Sequence, residues 1–126
     1  MEKLVIFGAS LGGHRALRSL GRDRRVIAFC DNAAEKHGGV VHGIPVVAPA
    51  QLASMGFDRV LIASAHYPEI YAQLIDLGVA ADRIEILDPD VLNGADEPRM
   101  RSYWLVCAAF VVVGLALYGL FRLVAG

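Results

Sequence analysis

Up to residue 93, short continuous apolar runs alternate with stretches whose apolar residues recur every three or four positions. Leu4, Val5, Ile6 and Phe7 form the first run and stop at Gly8. A run without polar alternation fits a parallel strand buried on both faces. A short helix is expected over 13–20, with Ala16, Leu17 and Leu20 inward and Gly21 as its stop. Residues 25–30 predict a second strand, closing at Asp31 and Asn32. From 33 to 48 the pattern loosens: Gly38 and Gly39 signal a turn, and Val40 with Val41 and residues 44–47 predict a small extra strand or edge. Pro49 stands where it opens a helix through Met55, ended by Gly56. Val60, Leu61, Ile62 and Ala63 repeat the buried-strand pattern. Pro68 then opens a helix with Ile70, Tyr71, Leu74 and Ile75 on its buried face and Gly78 at its end. Residues 84–87 predict a last strand, and Pro89 starts a closing turn.

Strands that alternate with helices imply βαβ units, hence a parallel sheet with right-handed crossovers. With connections this short the expected architecture is a small, doubly wound α/β domain over residues 1–93.

Beyond it the pattern changes. Residues 94–102 are polar, contain Gly94 and Pro98, and read as a linker. No charged residue occurs from 102 to 121. Twenty helical residues reach ~30 Å, the thickness of a bilayer's hydrocarbon core. Tyr103 and Trp104 at one end, with Tyr118 and Phe121 at the other, match interfacial aromatic belts. A single transmembrane helix over 103–123 is therefore expected. Arg99 and Arg101 precede it and Arg122 follows, a bias toward a cytoplasmic N-terminal side. The apolar run at the N-terminus is short, broken by Gly8 and Gly12, and meets His14 and Arg15 without a cleavage site. It reads as a strand and not as an export signal. The expectation is a single-pass protein of the inner (cytoplasmic) membrane with its N-terminal domain in the cytoplasm.

Composition adds little beyond this. The chain is 56% hydrophobic, and much of the excess lies in the C-terminal run. With 12 basic and 13 acidic residues the formal net charge is -1, which gives no electrostatic footprint for nucleic acid. Cys30 and Cys107 are isolated, with neither disulfide nor metal-ligand spacing. His37 and His42 lie in the loose segment with nothing to hold a metal between them. Arg15, Arg18, Arg22, Arg24 and Arg25 read as a solvated basic helix face.

The stretch that carries chemistry is Gly8-Ala9-Ser10-Leu11-Gly12-Gly13, which follows the first strand and opens the first helix. It approximates G-x-G-x-x-G with Ser10 at the middle glycine. Gly8 permits the tight turn, a small residue at 10 lets a phosphate approach the backbone, and Gly13 lets helix and strand pack closely. The helix N-terminus offers unpaired N–H groups and partial positive charge to an anion. Asp31 ends the second strand roughly 20 residues on, where a dinucleotide site places a carboxylate for ribose hydroxyls. The other wall is the loop after the strand at 60–63. There Ser64 and His66 offer hydrogen bonds and Tyr67 a stacking surface, or else these residues cap and pack the following helix. His14, in the helix's first turn, either faces the site or is simply exposed.

Four segments in order, Phe7-Gly8-Ala9-Ser10, Phe29-Cys30-Asp31-Asn32, Gly43-Ile44-Pro45-Val46 and Leu61-Ile62-Ala63-Ser64, carry a resemblance. From about Lys3 to Asp90 the chain resembles the Rossmann-like nucleotide-binding domains of bacterial polysaccharide biosynthesis. These are found in nucleotide-sugar dehydratases and epimerases and at the N-terminus of sugar acetyltransferases. The resemblance implies a site for NAD(P), a nucleotide-sugar or a coenzyme A-like molecule. It carries over Gly8, Ala9, Ser10, Gly12 and Gly13 for phosphate, Asp31 and Asn32 for ribose or sugar hydroxyls, and Ser64 and His66 opposite. It also implies a glycan-biosynthesis enzyme as partner. The chain lacks the catalytic half that such modules accompany. Its only lysines, Lys3 and Lys36, do not follow a tyrosine at the Tyr-x-x-x-Lys spacing, and no other catalytic constellation is present. No catalytic or metal-binding residue is assigned. The leading expectation is an accessory binding module. A reduced or split nucleotide-sugar oxidoreductase or epimerase, and an interaction scaffold with an empty glycine turn, stand as alternatives.

Overall fold

The computed structural model of the chain describes residues 1–94. Six strands form one sheet in the order β3-β4-β2-β1-β5-β6. In chain order these are β1 (Glu2–Phe7), β2 (Arg24–Cys30), β3 (Val40–Val41), β4 (Ile44–Val47), β5 (Arg59–Ile62) and β6 (Ile84–Ile86). Helix α1 (Leu11–Ser19) follows β1, α2 (Tyr67–Asp76) follows β5, and α3 (Pro89–Leu92) closes the described residues. The segment expected to form a helix from Pro49 is a 3₁₀ helix, Pro49–Ser54.

β1 lies at the centre, parallel to β2 on one side and β5 on the other. Its alternate side chains seed two cores. Leu4 and Ile6 pack with Ala16, Phe29, Val46, Leu61 and Leu87 on one face, and Val5 and Phe7 with Leu52, Ile62, Ile70 and Leu74 on the other. Period-two alternation explains this division: neighbouring residues of one strand point to opposite faces. α1 and α3 cover the first face, and the 3₁₀ helix and α2 cover the second. The domain is thus a doubly wound, Rossmann-like α/β sandwich.

The sheet, expected to be parallel, is not wholly so, because β3 runs antiparallel to β4. His42 and Gly43 join them with φ of 49° and 75°. A two-residue connection with positive φ at both positions is a hairpin turn, and no connection that short can join parallel strands. The looser segment is therefore a hairpin whose second strand extends the parallel sheet beside β2.

Two further expectations are corrected. Ile75 is 41% exposed, while Ile70 and Leu74 are buried. The inward row of α2 is the i, i+4 pair 70/74, and Ile75 lies about 100° further round the helix. The arginines between 15 and 25 are not one solvated face. Arg15 donates to the Leu92 carbonyl at 2.7 Å, and Arg24, on β2, pairs with Glu2 at 2.9 Å and Glu85 at 2.6 Å. Among the described residues no helix is long and apolar enough to cross a membrane. The linker from residue 95 onward and the membrane helix expected over 103–123 lie outside them.

Candidate nucleotide-type binding site

The sheet's C-terminal edge, where β1, β2 and β5 end, gathers the residues singled out in the sequence. Gly8 leaves β1 with φ +125°, and its N–H donates to the Cys30 carbonyl at 2.7 Å. A Cβ on Gly8 would lie 2.7 Å from the Ala63 carbonyl oxygen, and one on Gly12 only 2.3 Å from it. At Gly13 it would meet the Gly8 carbonyl oxygen at 2.0 Å. These three glycines let the first turn of α1 lie against the ends of β1 and β5, so close packing accounts for each. Ser10 is the N-cap of α1, but its side chain caps no backbone N–H. Its Oγ accepts instead from Lys36 Nζ at 2.6 Å.

Asp31 braces the turn. One carboxylate oxygen accepts from the Ala9 N–H at 2.9 Å and the other from the Ala33 N–H at 2.8 Å. Lys36 Nζ lies 3.6 Å from the first of these oxygens. Burial alone would push this carboxyl up, but the Ala33 and Ala9 N–H groups and the Lys36 ammonium outweigh it. The carboxyl is held below its ordinary value and stays ionised. A carboxylate offers about four lone-pair directions, so these bonds do not exhaust it. His37 Nε2 donates to the Asp31 carbonyl at 2.6 Å and fixes the following loop. Neighbouring Cys30 is fully buried, and desolvation, then the Asp31 charge, push its thiol up to about 12. It is a packing residue, not a nucleophile.

Beside this brace lies a cleft of about 480 Å³, lined by Phe7, Gly8, Asp31, Asn32, Ser64, His66, Glu69, Ile70 and Gln73. Five expected residues, Gly8, Asp31, Asn32, Ser64 and His66, thus meet around one space. Ala9, Ser10, Gly12 and Gly13 do not line it: Ala9 and Gly13 are buried, and Ser10 is exposed at the head of α1. Ala9 instead borders a smaller hollow of about 250 Å³ that includes Lys36. Ser64 Oγ accepts the His66 N–H at 3.1 Å, the local turn that leads into α2. Tyr67, expected as a stacking surface, does not line the cleft and is 42% exposed.

Three polar residues here were not singled out from the sequence. Gln73 and Glu69 reach the cleft because α2 turns them toward it at i and i+4. Asn32 Nδ2 donates to Gln73 Oε1 at 3.0 Å, and Gln73 Nε2 returns a bond to Asn32 Oδ1 at 2.8 Å. Lys36 comes from a single 3₁₀ turn in the loose segment, Ala34–Lys36, which no periodicity marked. The charges therefore divide. Asp31 and Glu69 line the main cleft and no lysine or arginine does, whereas Lys36 lines the smaller hollow, against Ser10 and 3.6 Å from Asp31. His14 does not face the cleft; its Nδ1 lies 2.6 Å from Nε2 of His42 on the β3–β4 turn. Among the described residues no group of three or more histidines, cysteines or carboxylates is placed to hold a metal.

The family model described as C2185-like, N-terminal matches residues 1–85. Among solved structures, UDP-D-quinovosamine 4-dehydrogenase from Vibrio fischeri is similar at 25% identity and a TM-score of 0.56, covering 75% of this chain and 85% of that one. RSP, a Rex-family repressor, in complex with β-NAD+ and operator DNA is similar in fold at 12% identity and a TM-score of 0.54. That match covers 92% of this chain and 62% of RSP. An ATP phosphoribosyltransferase from Paramagnetospirillum magneticum is 51% identical over 37 residues, which span 29% of this chain and 16% of that protein's length.

Proposed function

We propose that this chain, which belongs to the C2185-like, N-terminal family, is a binding module for a nucleotide-type ligand, anchored at the cytoplasmic face of a membrane by residues 103–123. The observation that carries this reading is the meeting of Gly8, Asp31, Asn32, Ser64 and His66 around one cleft at the strands' C-terminal ends. Open α/β sheets take ligands in that crevice. The charge division suggests how the ligand lies. A phosphate is repelled by Asp31 and Glu69 but attracted by the Lys36 ammonium and the α1 N-terminus. The uncharged nucleoside or sugar part then fills the acidic cleft, with Asp31 accepting a hydroxyl on its remaining lone pairs.

The named relatives support this ligand class. One acts, by its name, on a UDP-linked sugar, and another was solved with β-NAD+. Together with the resemblance to polysaccharide-biosynthesis domains, this favours an accessory role beside a glycan-assembly enzyme. The Tyr-x-x-x-Lys spacing of oxidoreductases and epimerases with this kind of fold is absent from the sequence, and the chain is read as binding without turnover.

Calorimetric titration of the full chain with NAD, coenzyme A and a UDP-sugar tests the reading. One of them is expected to bind, and Lys36→Ala is expected to weaken it about tenfold, as befits a lost charge-assisted contact. Absence of heat and of any thermal shift with all three would leave an interaction scaffold in its place.

A further inference from the structure

The reciprocal Asn32–Gln73 bonds have a chemistry of their own. Each amide donates one N–H and accepts one bond through its oxygen, at 3.0 and 2.8 Å, so the pair forms a closed amide dimer at the cleft. The residues come from separate elements, the loop after β2 and the middle of α2. Nucleobases carry the same donor-beside-acceptor pattern on their pairing edges: adenine as N6–H and N1, uracil as N3–H and O4. Such edges are what proteins bond when they read an unpaired base. The cleft fits an uncharged ring. Phe7 and Ile70 supply apolar wall, and no cation lines it to favour a phosphate.

We propose that the Asn32–Gln73 pair is the base reader of this cleft: it opens on binding, and the freed Gln73 amide bonds the donor–acceptor edge of a nucleobase. The inference rests on the nucleotide-type reading above and narrows it to ligands whose head carries such an edge. Opening costs little, because a bond between amides near the surface has a net worth of about one hydrogen bond in water, and the ligand's edge replaces it. Selectivity follows from the same balance. A ring that lacks the edge offers no replacement for the parted amide bonds, so it binds less tightly by about what those bonds are worth. Asp31 has a different part: it accepts from the Ala9 N–H of the glycine turn and the Ala33 N–H of its own loop, and its remaining lone pairs are left for a hydroxyl.

The test uses the full chain and defined probes: adenosine and uridine 5′-monophosphates, N3-methyluridine 5′-monophosphate and ribose 5-phosphate. Wild-type protein is expected to bind one of the two nucleotides at least tenfold more tightly than ribose 5-phosphate. Gln73→Leu should remove that advantage and leave ribose 5-phosphate binding unchanged. Gln73→Met, which keeps the side chain's length without a charge, a donor or an amide acceptor, should do the same if Gln73→Leu perturbs folding. If uridine is the head, the N-methylated nucleotide should bind like ribose 5-phosphate and be indifferent to Gln73. Loss of nucleotide and ribose 5-phosphate binding together, or no loss at all, would overturn the base reader while leaving the nucleotide-type reading in place. Failure of every probe to bind wild-type protein would overturn the base reader, and the nucleotide-type reading falls with it if NAD, coenzyme A and a UDP-sugar fail as well.

Discussion

Gly13 and Asp31 hold the glycine turn in different ways, and substitutions at them should fail differently. At Gly13 the space for a Cβ is taken by a backbone oxygen 2.0 Å away, which cannot swing aside as a flexible side chain could. Gly13→Ala must push α1 off the sheet, and a loss of about 3 kcal/mol or more is expected in urea unfolding. Gly56 is the control: nothing lies within 4 Å of its Cβ position and its φ is not in the left-handed region. Gly56→Ala should be neutral or stabilising by ~0.4–1 kcal/mol. Asp31 acts through charge. Its folded pKa lies below its ordinary value, so its contribution is complete above an unfolded pKa near ~3.9. It fades as pH falls through the lower folded value. Asp31→Asn should cost ~1.5–3 kcal/mol at neutral pH, the range for hydrogen bonds to a charged group. The gap between the two proteins should stay constant from pH 7 to 5 and close below pH ~4. A gap that persisted at the lowest pH would mean that the carboxylate charge is not what holds the turn.

Among the elements, those with unbroken apolar runs were legible in the sequence and those built on one or two turns were not. β1, β2 and β5 bury both faces, so Leu4 to Phe7 and Val60 to Ile62 announce them without reference to the rest of the fold. β3 has two residues, and only its tight turn and its pairing with β4 make it a strand. The same limit divides the site. Residues on the glycine turn and at the ends of β2 and β5 follow from the motif and the strand pattern, and the cleft unites five of them. Lys36, Glu69 and Gln73 depend on how a 3₁₀ turn and a helix face are rotated, which apolar spacing does not encode for polar residues. Arg24 illustrates the point at the opposite sheet edge. It reads as one of a basic cluster, yet it joins Glu2 on β1 to Glu85 on β6. Its side chain is 18% exposed, but both partner carboxylates are about a third or more open to water. Arg24→Ala is therefore expected to cost only ~0.5–1 kcal/mol, less at high salt, as measured by thermal unfolding across ionic strength. A cost indifferent to salt would assign Arg24 to packing instead.

For the whole molecule, the proposed division of labour is a folded ligand-binding domain and a separate anchor. Apolar clusters on both faces of the sheet are built from positions between 4 and 92, with α1 and α3 packed on one face and α2 and the 3₁₀ helix on the other. A domain with two filled cores at this length is expected to fold without the C-terminal run, although its stability margin is small. The uncharged run from 102 to 121 has the length to span a bilayer as one helix. Removal of residues 95–126 should accordingly move the protein from the membrane fraction to the soluble fraction, with a cooperative unfolding transition. Ligand affinity should be the same as in the full chain, because the cleft is lined by residues between 7 and 73. Full-length protein should stay with membranes after a carbonate wash, which strips peripheral proteins and leaves inserted helices. Truncated protein that aggregates or unfolds without cooperativity would mean that the C-terminal run completes the domain and is no mere anchor. Extraction of the full chain by carbonate would remove the anchor itself.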